Sequence, residues 1–470
     1  MTAEEQKKKF ITMVAILVGA FLFTLLPFPP EFTKPAIYMM AIALIGAGFW
    51  MTECLPIPVT GLVIIFLQAI FGIQHVSTGL SFIASPVNSI VFAGFAMAAA
   101  LSKYNIDRRV SLSIVSFMGE RTDRLLLGIM ASTAFLSMWI SNTAAAAIMI
   151  PISIGILKMA DITRESNSNL AKTMMIGIAF SANIGGMGTP AGTTVCPITI
   201  AFINDLVGVQ IKFLDWVMMG APVVFILVPI AWRVLLFVYP SEIKRIEGGT
   251  AAVRRQLQEM GPLSSKQKHV ICLLALAVVL WILDSFVQLM PGWLYVASVL
   301  ICLLFMAPQI GVVSWDEVAK ETGWGVFILI GGGLSLGNGL KTSGVIDLIA
   351  GYLGTALTGA SVYVVISVLT FITALSITFF SSVTATSTTF VPIAIGLAIQ
   401  LGLDPVGVGV AVGLAACLAF LLPANTPASA IAYGSGHFKT SEMTKAGILV
   451  TLLAVSILTI MANLLWAGNF

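Results

Sequence analysis

Charge is scarce in this chain. Of its 470 residues only 10% are Asp, Glu, Lys or Arg, while 58% are hydrophobic. An ordinary soluble domain carries about 25% charged residues, so that class is excluded and the chain falls among multi-span membrane proteins. Histidine is scarcer still: His75, His269 and His437 all fall in loops or at span ends, and no H-E-x-x-H occurs. A zinc hydrolase or a histidine proton relay has nothing to build on. The five cysteines (Cys54, Cys196, Cys272, Cys302, Cys417) stand singly in apolar stretches. That leaves neither a disulfide framework nor a metal cluster, and they read as small core hydrophobes. Acids are nearly missing from the spans. Glu53 and Asp284 come nearest, and both lie by span ends, where a solvated interface position is expected. A membrane-embedded enzyme needs a nucleophile with a base, or a metal, and is left only a remote alternative. Gly331–Gly333 is no phosphate loop, and no charged or carbonyl filter repeat points to a channel. The net charge of +3 says little, because location matters more than sum, and no nucleic-acid partner is expected.

What the chain has is apolar runs of spanning length. They fall near 10–27, 36–54, 58–73, 84–102, 213–238, 268–289, 292–309, 323–340 and 443–467, with longer segments at 125–157, 171–203, 361–400 and 405–436. Met1 to Lys9 is polar with three lysines, so the run after it reads as a first span rather than a cleavable signal.

Two of the long segments carry a polar knot. Ser137 to Ile152 reads S-M-W-I-S-N-T-A-A-A-A-I-M-I-P-I, and Thr378 to Ile393 reads T-F-F-S-S-V-T-A-T-S-T-T-F-V-P-I. Ser141, Thr143 and Pro151 match Ser382, Thr384 and Pro392, each pair 241 positions apart (382 − 141). A single Ser or Thr in a membrane helix commonly caps its own backbone or packs against a neighbour. The duplicated S-x-T-A-x₆-P pattern overrides that reading for Ser141, Asn142, Thr143, Ser382 and Thr384. Each knot is followed by a Gly- and Pro-rich break, Ala182 to Pro197 and Leu422 to Gly436. Such breaks expose carbonyls at one half-helix end and N–H groups at the next; the former suit a cation, the latter a carboxylate. A polar, Pro-flanked knot in each half of the chain is the signature of a two-repeat transporter with discontinuous helices.

Basic residues set the threading. Arg108, Arg109, Arg121 and Arg124 precede the segment 125–157, and Lys158, Arg164 and Lys172 follow it, so both flanks are cytoplasmic. The segment therefore enters and returns as a re-entrant hairpin with its tip at Ser141–Thr143. Counting the other spans as single crossings puts all but Lys34, Lys212 and Lys341 of the 24 Lys and Arg inside. The expectation is an all-α polytopic membrane protein with about eleven transmembrane helices and two re-entrant helical hairpins. It forms two inverted repeats: 1–238, with hairpin 125–157 and broken helix 171–203, and 268–470, with external-side hairpin 361–400 and broken helix 405–436. A cytoplasmic linker, 239–267, separates them. The N-terminus lies inside and the C-terminus outside.

At these residues the chain resembles the divalent anion/sodium symporter family, the INDY-type dicarboxylate transporters, over essentially its whole length. The most specific likeness is Ser141-Asn142-Thr143 with Pro151, followed by L-P-x-x-T-P and G-S-G-H at 422–437. The resemblance implies an elevator-type homodimer that carries a small dicarboxylate (succinate, malate, 2-oxoglutarate class) across a prokaryotic plasma membrane. By the same likeness, Ser141, Asn142, Thr143, Thr193, Ser382, Val383, Thr384, Thr426 and Pro427 meet the substrate. No cofactor is implied beyond a possible sodium ion. A first cation site would use Ser137, Ser141, Asn142 and Gly192, and a second would use Thr378 and Asn425. Here the chain departs from the pattern: Val383 stands where the family has Asn, and Asn425 where it commonly has Ala. Valine offers no side-chain oxygen. These departures turn the expectation toward the family's sodium-independent anion exchangers, with a sodium-coupled symporter as the alternative.

Overall fold

A computed structural model describes residues 3–287, 290–356, 361–380 and 382–466 of the chain. Residues 288 and 289 of the expected span 268–289, Ser381 of the expected hairpin 361–400, and residues 467–470, with the expected external C-terminus, lie outside the described residues. In lipid every peptide group must find its partner within the chain, which selects helices for a sequence this apolar. The described chain is helical throughout; its one isolated β-bridge joins Arg121 and Arg245.

Among the described residues, eight helices are long and apolar enough to cross a bilayer. There are nine if Trp315–Glu321 and Trp324–Thr342, bent by 61°, count as one span. Three of the eight, Asn142–Met159, Val362–Phe380 and Val383–Gln400, lie in the two segments that the sequence marks as hairpins. The expected spans 58–73 and 292–309 are the helices Ile57–Ile70 and Trp293–Met306, of 14 residues each. Such a helix rises only about 21 Å, short of a hydrocarbon core about 30 Å thick.

The first hairpin is α1 (Thr122–Ser137) packed on α2 (Asn142–Met159), with the turn between them. The segment after it is broken as expected: α3 (Asn169–Gly185), a 3₁₀ turn at Gly186–Gly188, then α4 (Val195–Val207). The second hairpin is α5 (Val362–Phe380) and α6 (Val383–Gln400), and the second break separates α7 (Pro405–Ala415) from α8 (Pro427–Gly434). Element order recurs. Each hairpin follows a short helix, Ile106–Ser116 or Val345–Ala356, and each broken segment leads into a long one, Phe213–Val238 or Thr440–Met461.

Ile106–Ser116, and Gly249–Glu259 in the expected linker, are not legible as apolar runs because they are amphipathic, and Val345–Ala356, at 12 residues, is too short for a span. Ile106, Leu112 and Val115 are buried on one, and Val253 is buried beside exposed Arg254 and Arg255 on another. The linker is docked rather than loose: Arg109 donates to the carbonyls of Met260 (3.0 Å) and Gly261 (2.8 Å), and Arg254 donates to that of Ser116 (3.3 Å). The triple glycine is a close crossing. A Cβ on Gly332 would lie 2.3 Å from Gly61 Cα, so only glycine lets Trp324–Thr342 approach Ile57–Ile70 this closely. In the core the two breaks meet, with Phe180 and Phe420 ring centroids 4.9 Å apart and Asn183 donating to the Ala419 carbonyl (3.2 Å).

Candidate functional site

Serine and threonine begin helices because a short hydroxyl accepts one of the unpaired first-turn N–H groups. Ser141 caps α2 by accepting from Ala144 N–H (3.2 Å), Ser382 caps α6 by accepting from Ala385 N–H (3.3 Å), and Thr426 caps α8 by accepting from Ser429 N–H (3.2 Å). Thr194, the residue before α4, instead bonds across the halves: its hydroxyl lies 2.6 Å from that of Thr384. Four helix N-termini, two from hairpin tips and two from breaks, thus meet at one place.

They enclose a cavity of about 530 Å³. Ser141, Asn142, Thr143, Thr193, Ser382, Val383, Thr384, Thr426 and Pro427 all line it, as do Gly192 and Asn425. Two expected residues do not. Ser137 is fully buried behind the first tip, its hydroxyl 2.7 Å from both Asn142 Oδ1 and the Ala182 carbonyl. Thr378 donates to the Leu375 carbonyl of its own helix (2.7 Å), the ordinary role of a hydroxyl in a membrane helix. The run Thr386, Ser387, Thr388 and Thr389 likewise donates to carbonyls of its own helix segment, 382–385.

The opposite wall comes from elsewhere: Ile57, the stretch Val91, Gly94, Phe95 and Ala98, and Val326. Sequence reading missed these because nothing distinguishes them from other apolar span residues. It also placed Glu53 only at a span end. Glu53 stands at the cavity mouth in a left-handed conformation (φ 46°), with its carbonyl accepting from Lys9 Nζ (2.8 Å). Glu53 is the only charged residue among those lining the cavity.

Electrostatically, the helix N-termini bring partial positive charge to the cavity without a basic side chain, each acting as about half a positive charge.

The first tip also holds a cluster of oxygens. A Cβ built on Gly192 would lie 2.6 Å from the Gly186 carbonyl oxygen and 2.9 Å from that of Ser137, and one on Gly186 would lie 2.6 Å from Asn142 Oδ1. Two carbonyl oxygens thus lie against Gly192 and one side-chain oxygen against Gly186, at positions that only glycine leaves open. Asn142 is held at both ends, accepting from Ser137 Oγ (2.7 Å) and donating to Asn183 Oδ1 (3.5 Å). At the second tip Val383 has no oxygen to offer. Both side-chain polar atoms of Asn425 are buried with no hydrogen-bond partner in the protein.

Residues 7–468 match the family described as the sodium:sulfate symporter transmembrane region. The chain belongs to this family. Within it, a protein of Staphylococcus saprophyticus named sodium-dependent dicarboxylate transporter SdcS is 34% identical, over 96% of this chain and 91% of its own. A protein of the same name from Staphylococcus aureus is also 34% identical, over 97% of this chain and 91% of its own. The crystal structure of the Alcanivorax borkumensis YdaH transporter, described as having an unusual topology, shares the fold, with a TM-score of 0.55. At 12% identity it covers 92% of this chain and 99% of that one. Family membership makes the chain a multi-pass membrane transporter and removes the enzyme alternative.

Proposed function

We propose that this protein is a sodium-coupled secondary transporter of small dicarboxylates, of the succinate, malate and 2-oxoglutarate class. The observation that carries the reading is the convergence of four helix N-termini on a cavity that no basic residue lines. Dispersed N–H and hydroxyl donors suit two carboxylates held a few ångströms apart, and the names of the staphylococcal relatives agree.

The oxygens at the first tip fit a sodium ion: the carbonyls of Ser137 and Gly186 and Oδ1 of Asn142 are hard, uncharged ligands of the kind such a cation takes. A bound sodium ion supplies positive charge beside the substrate carboxylate. The residues of the chain do the rest, with Ser137 and Asn183 orienting Asn142 and the caps presenting free N–H groups to the cavity. A second reading, sodium-independent exchange, is favoured by Val383, which removes an oxygen from the second tip.

We further read the chain as two inverted repeats, 1–238 and 268–470, joined by the linker 239–267, an arrangement supported by the recurring element order. Transport would proceed by an elevator movement of the hairpins and breaks in a homodimer seated in the bacterial plasma membrane. The Lys9–Glu53 contact supports a cavity open to the cytoplasmic side. Lys212 and Lys341, expected outside, donate to the carbonyls of Asp284 (2.9 Å) and Asp205 (3.1 Å), two acids that share a separate cavity of about 320 Å³. That grouping supports one external face.

Proteoliposomes decide the coupling. Empty vesicles with an inward sodium gradient are expected to accumulate labelled succinate. Vesicles preloaded with unlabelled succinate in choline buffer are expected not to; uptake only in the latter would establish exchange. In the same assay Thr143→Ala and Thr384→Ala are each expected to weaken succinate binding by about 1–3 kcal/mol, roughly 5- to 150-fold in KM. Unchanged KM in both would remove the two tips from the site.

A further inference from the structure

Asn142 and Asn425 both line one cavity, yet the surroundings of their amides differ. The Asn142 amide is filled at both ends. Asn425 is 1% exposed, and neither its Nδ2 nor its Oδ1 meets a partner in the protein. A buried amide left with both functions open is uncommon, because nothing compensates the loss of its water. Around it the other polar groups are committed. Thr384 is bonded to Thr194, Thr426 both accepts from Ser429 N–H and donates to Ser429 Oγ (2.9 Å), and Ser382 caps its helix. Val383 contributes nothing polar. On this side of the cavity, among the described residues, Asn425 alone is a buried side chain with neither its donor nor its acceptor engaged.

The chemistry that would satisfy this amide is set by what each of its two functions needs. A carboxylate oxygen only accepts, so a plain dicarboxylate can take the Nδ2–H but leaves Oδ1 without a donor. A keto group has the same limit. A hydroxyl donates and accepts, and a hydroxyl next to a carboxylate offers the amide a donor and an acceptor side by side. We propose that Asn425 is a specificity-determining residue that reads a hydroxyl between the two carboxylates, so that the transporter prefers 2-hydroxydicarboxylates over their unsubstituted counterparts. The inference rests on the dicarboxylate reading and adds to it a residue and a substrate preference. A site that hydrogen-bonds a substrate hydroxyl discriminates strongly, since the analogue lacking it leaves buried polar groups unpaired.

The test is competition against labelled succinate uptake in proteoliposomes, using unlabelled malate and unlabelled succinate, for the wild type, Asn425→Ala and Asn425→Ser. In the wild type malate is expected to compete about tenfold more strongly than succinate. In Asn425→Ala that ratio is expected to collapse to about one, whatever happens to succinate itself, and Asn425→Ser, whose hydroxyl can also donate and accept, should recover part of it. Melting curves of the purified variants check that each is folded. If Asn425→Ala fails to fold, the ratio is read from Asn425→Ser alone, where a fall below the wild-type value is expected. A malate-to-succinate ratio of about one in the wild type, or one unaltered by substitution, overturns the inference while leaving dicarboxylate transport standing. An equal loss for both substrates with a raised sodium requirement also overturns it, and assigns the amide to a cation instead. Wild-type vesicles that take up neither compound would bring down the dicarboxylate reading itself.

Discussion

Gly192→Ala is expected to lower sodium-driven dicarboxylate uptake by about a hundredfold. The added Cβ would meet two backbone carbonyl oxygens, Gly186 at 2.6 Å and Ser137 at 2.9 Å, and the Gly186 Cα at 3.0 Å. None of these is the end of a flexible side chain, so the backbone of the tip or of the break must move. Overpacking of this kind costs about 1–3 kcal/mol. The oxygens displaced are two of the three proposed to hold sodium, so the loss falls on cation binding before it falls on the fold; about 2.8 kcal/mol corresponds to a hundredfold. Gly155→Ala in α2 is the matching control. It meets no atom within 4 Å, and alanine in a helix interior is about 1 kcal/mol better than glycine. Uptake by Gly192→Ala that keeps a normal sodium dependence would mean that these oxygens do not hold the coupling ion.

The residues of the site were legible from sequence because its chemistry is local. An N-cap hydroxyl followed by an apolar run announces a helix start, and finding it twice at an interval of 241 positions marked both tips. Breaks rich in Gly and Pro announced themselves too. The apolar wall did not, since Phe95 and Val326 face the cavity by tertiary placement and carry no signal of their own. Glu53 was visible as an acid near a span end, but its place on the cavity depends on how the helix that it ends, Lys34–Thr52, packs. Thr378 matches Ser137 by repeat, yet Ser137 bonds across to Asn142 and Ala182, while Thr378 bonds within its helix. The pattern of a repeat fixes which residue stands where, and the partner opposite decides what it does. Amphipathic helices such as Ile106–Ser116 were lost for a different reason: their charged face lowers the mean apolarity below that of a span.

Breaking the ion pair between Lys172 and Glu442 is expected to have the largest effect on stability. Their Nζ and Oε1 atoms are 2.8 Å apart, and the side chains are 7% and 20% exposed. The pair joins the start of α3 to the start of Thr440–Met461, and so ties one half of the chain to the other. The anchoring extends further: Glu442 Oε2 accepts from Lys439 N–H (2.7 Å), and its carbonyl accepts from Tyr239 OH (2.9 Å). Lys172→Met leaves a largely buried carboxylate without its partner, at a cost of about 3–5 kcal/mol for a fully buried pair. The partial exposure of Glu442 points to the lower end of that range. Removing both charges is a different change. Lys172→Met with Glu442→Met replaces the pair by apolar bulk, which in other buried pairs is close to neutral. Thermal unfolding in detergent of the two single variants and the double variant forms a cycle. The expected result is a double variant more stable than either single one. Additive losses would show that the two charges act separately and that their pairing does not tie the halves together.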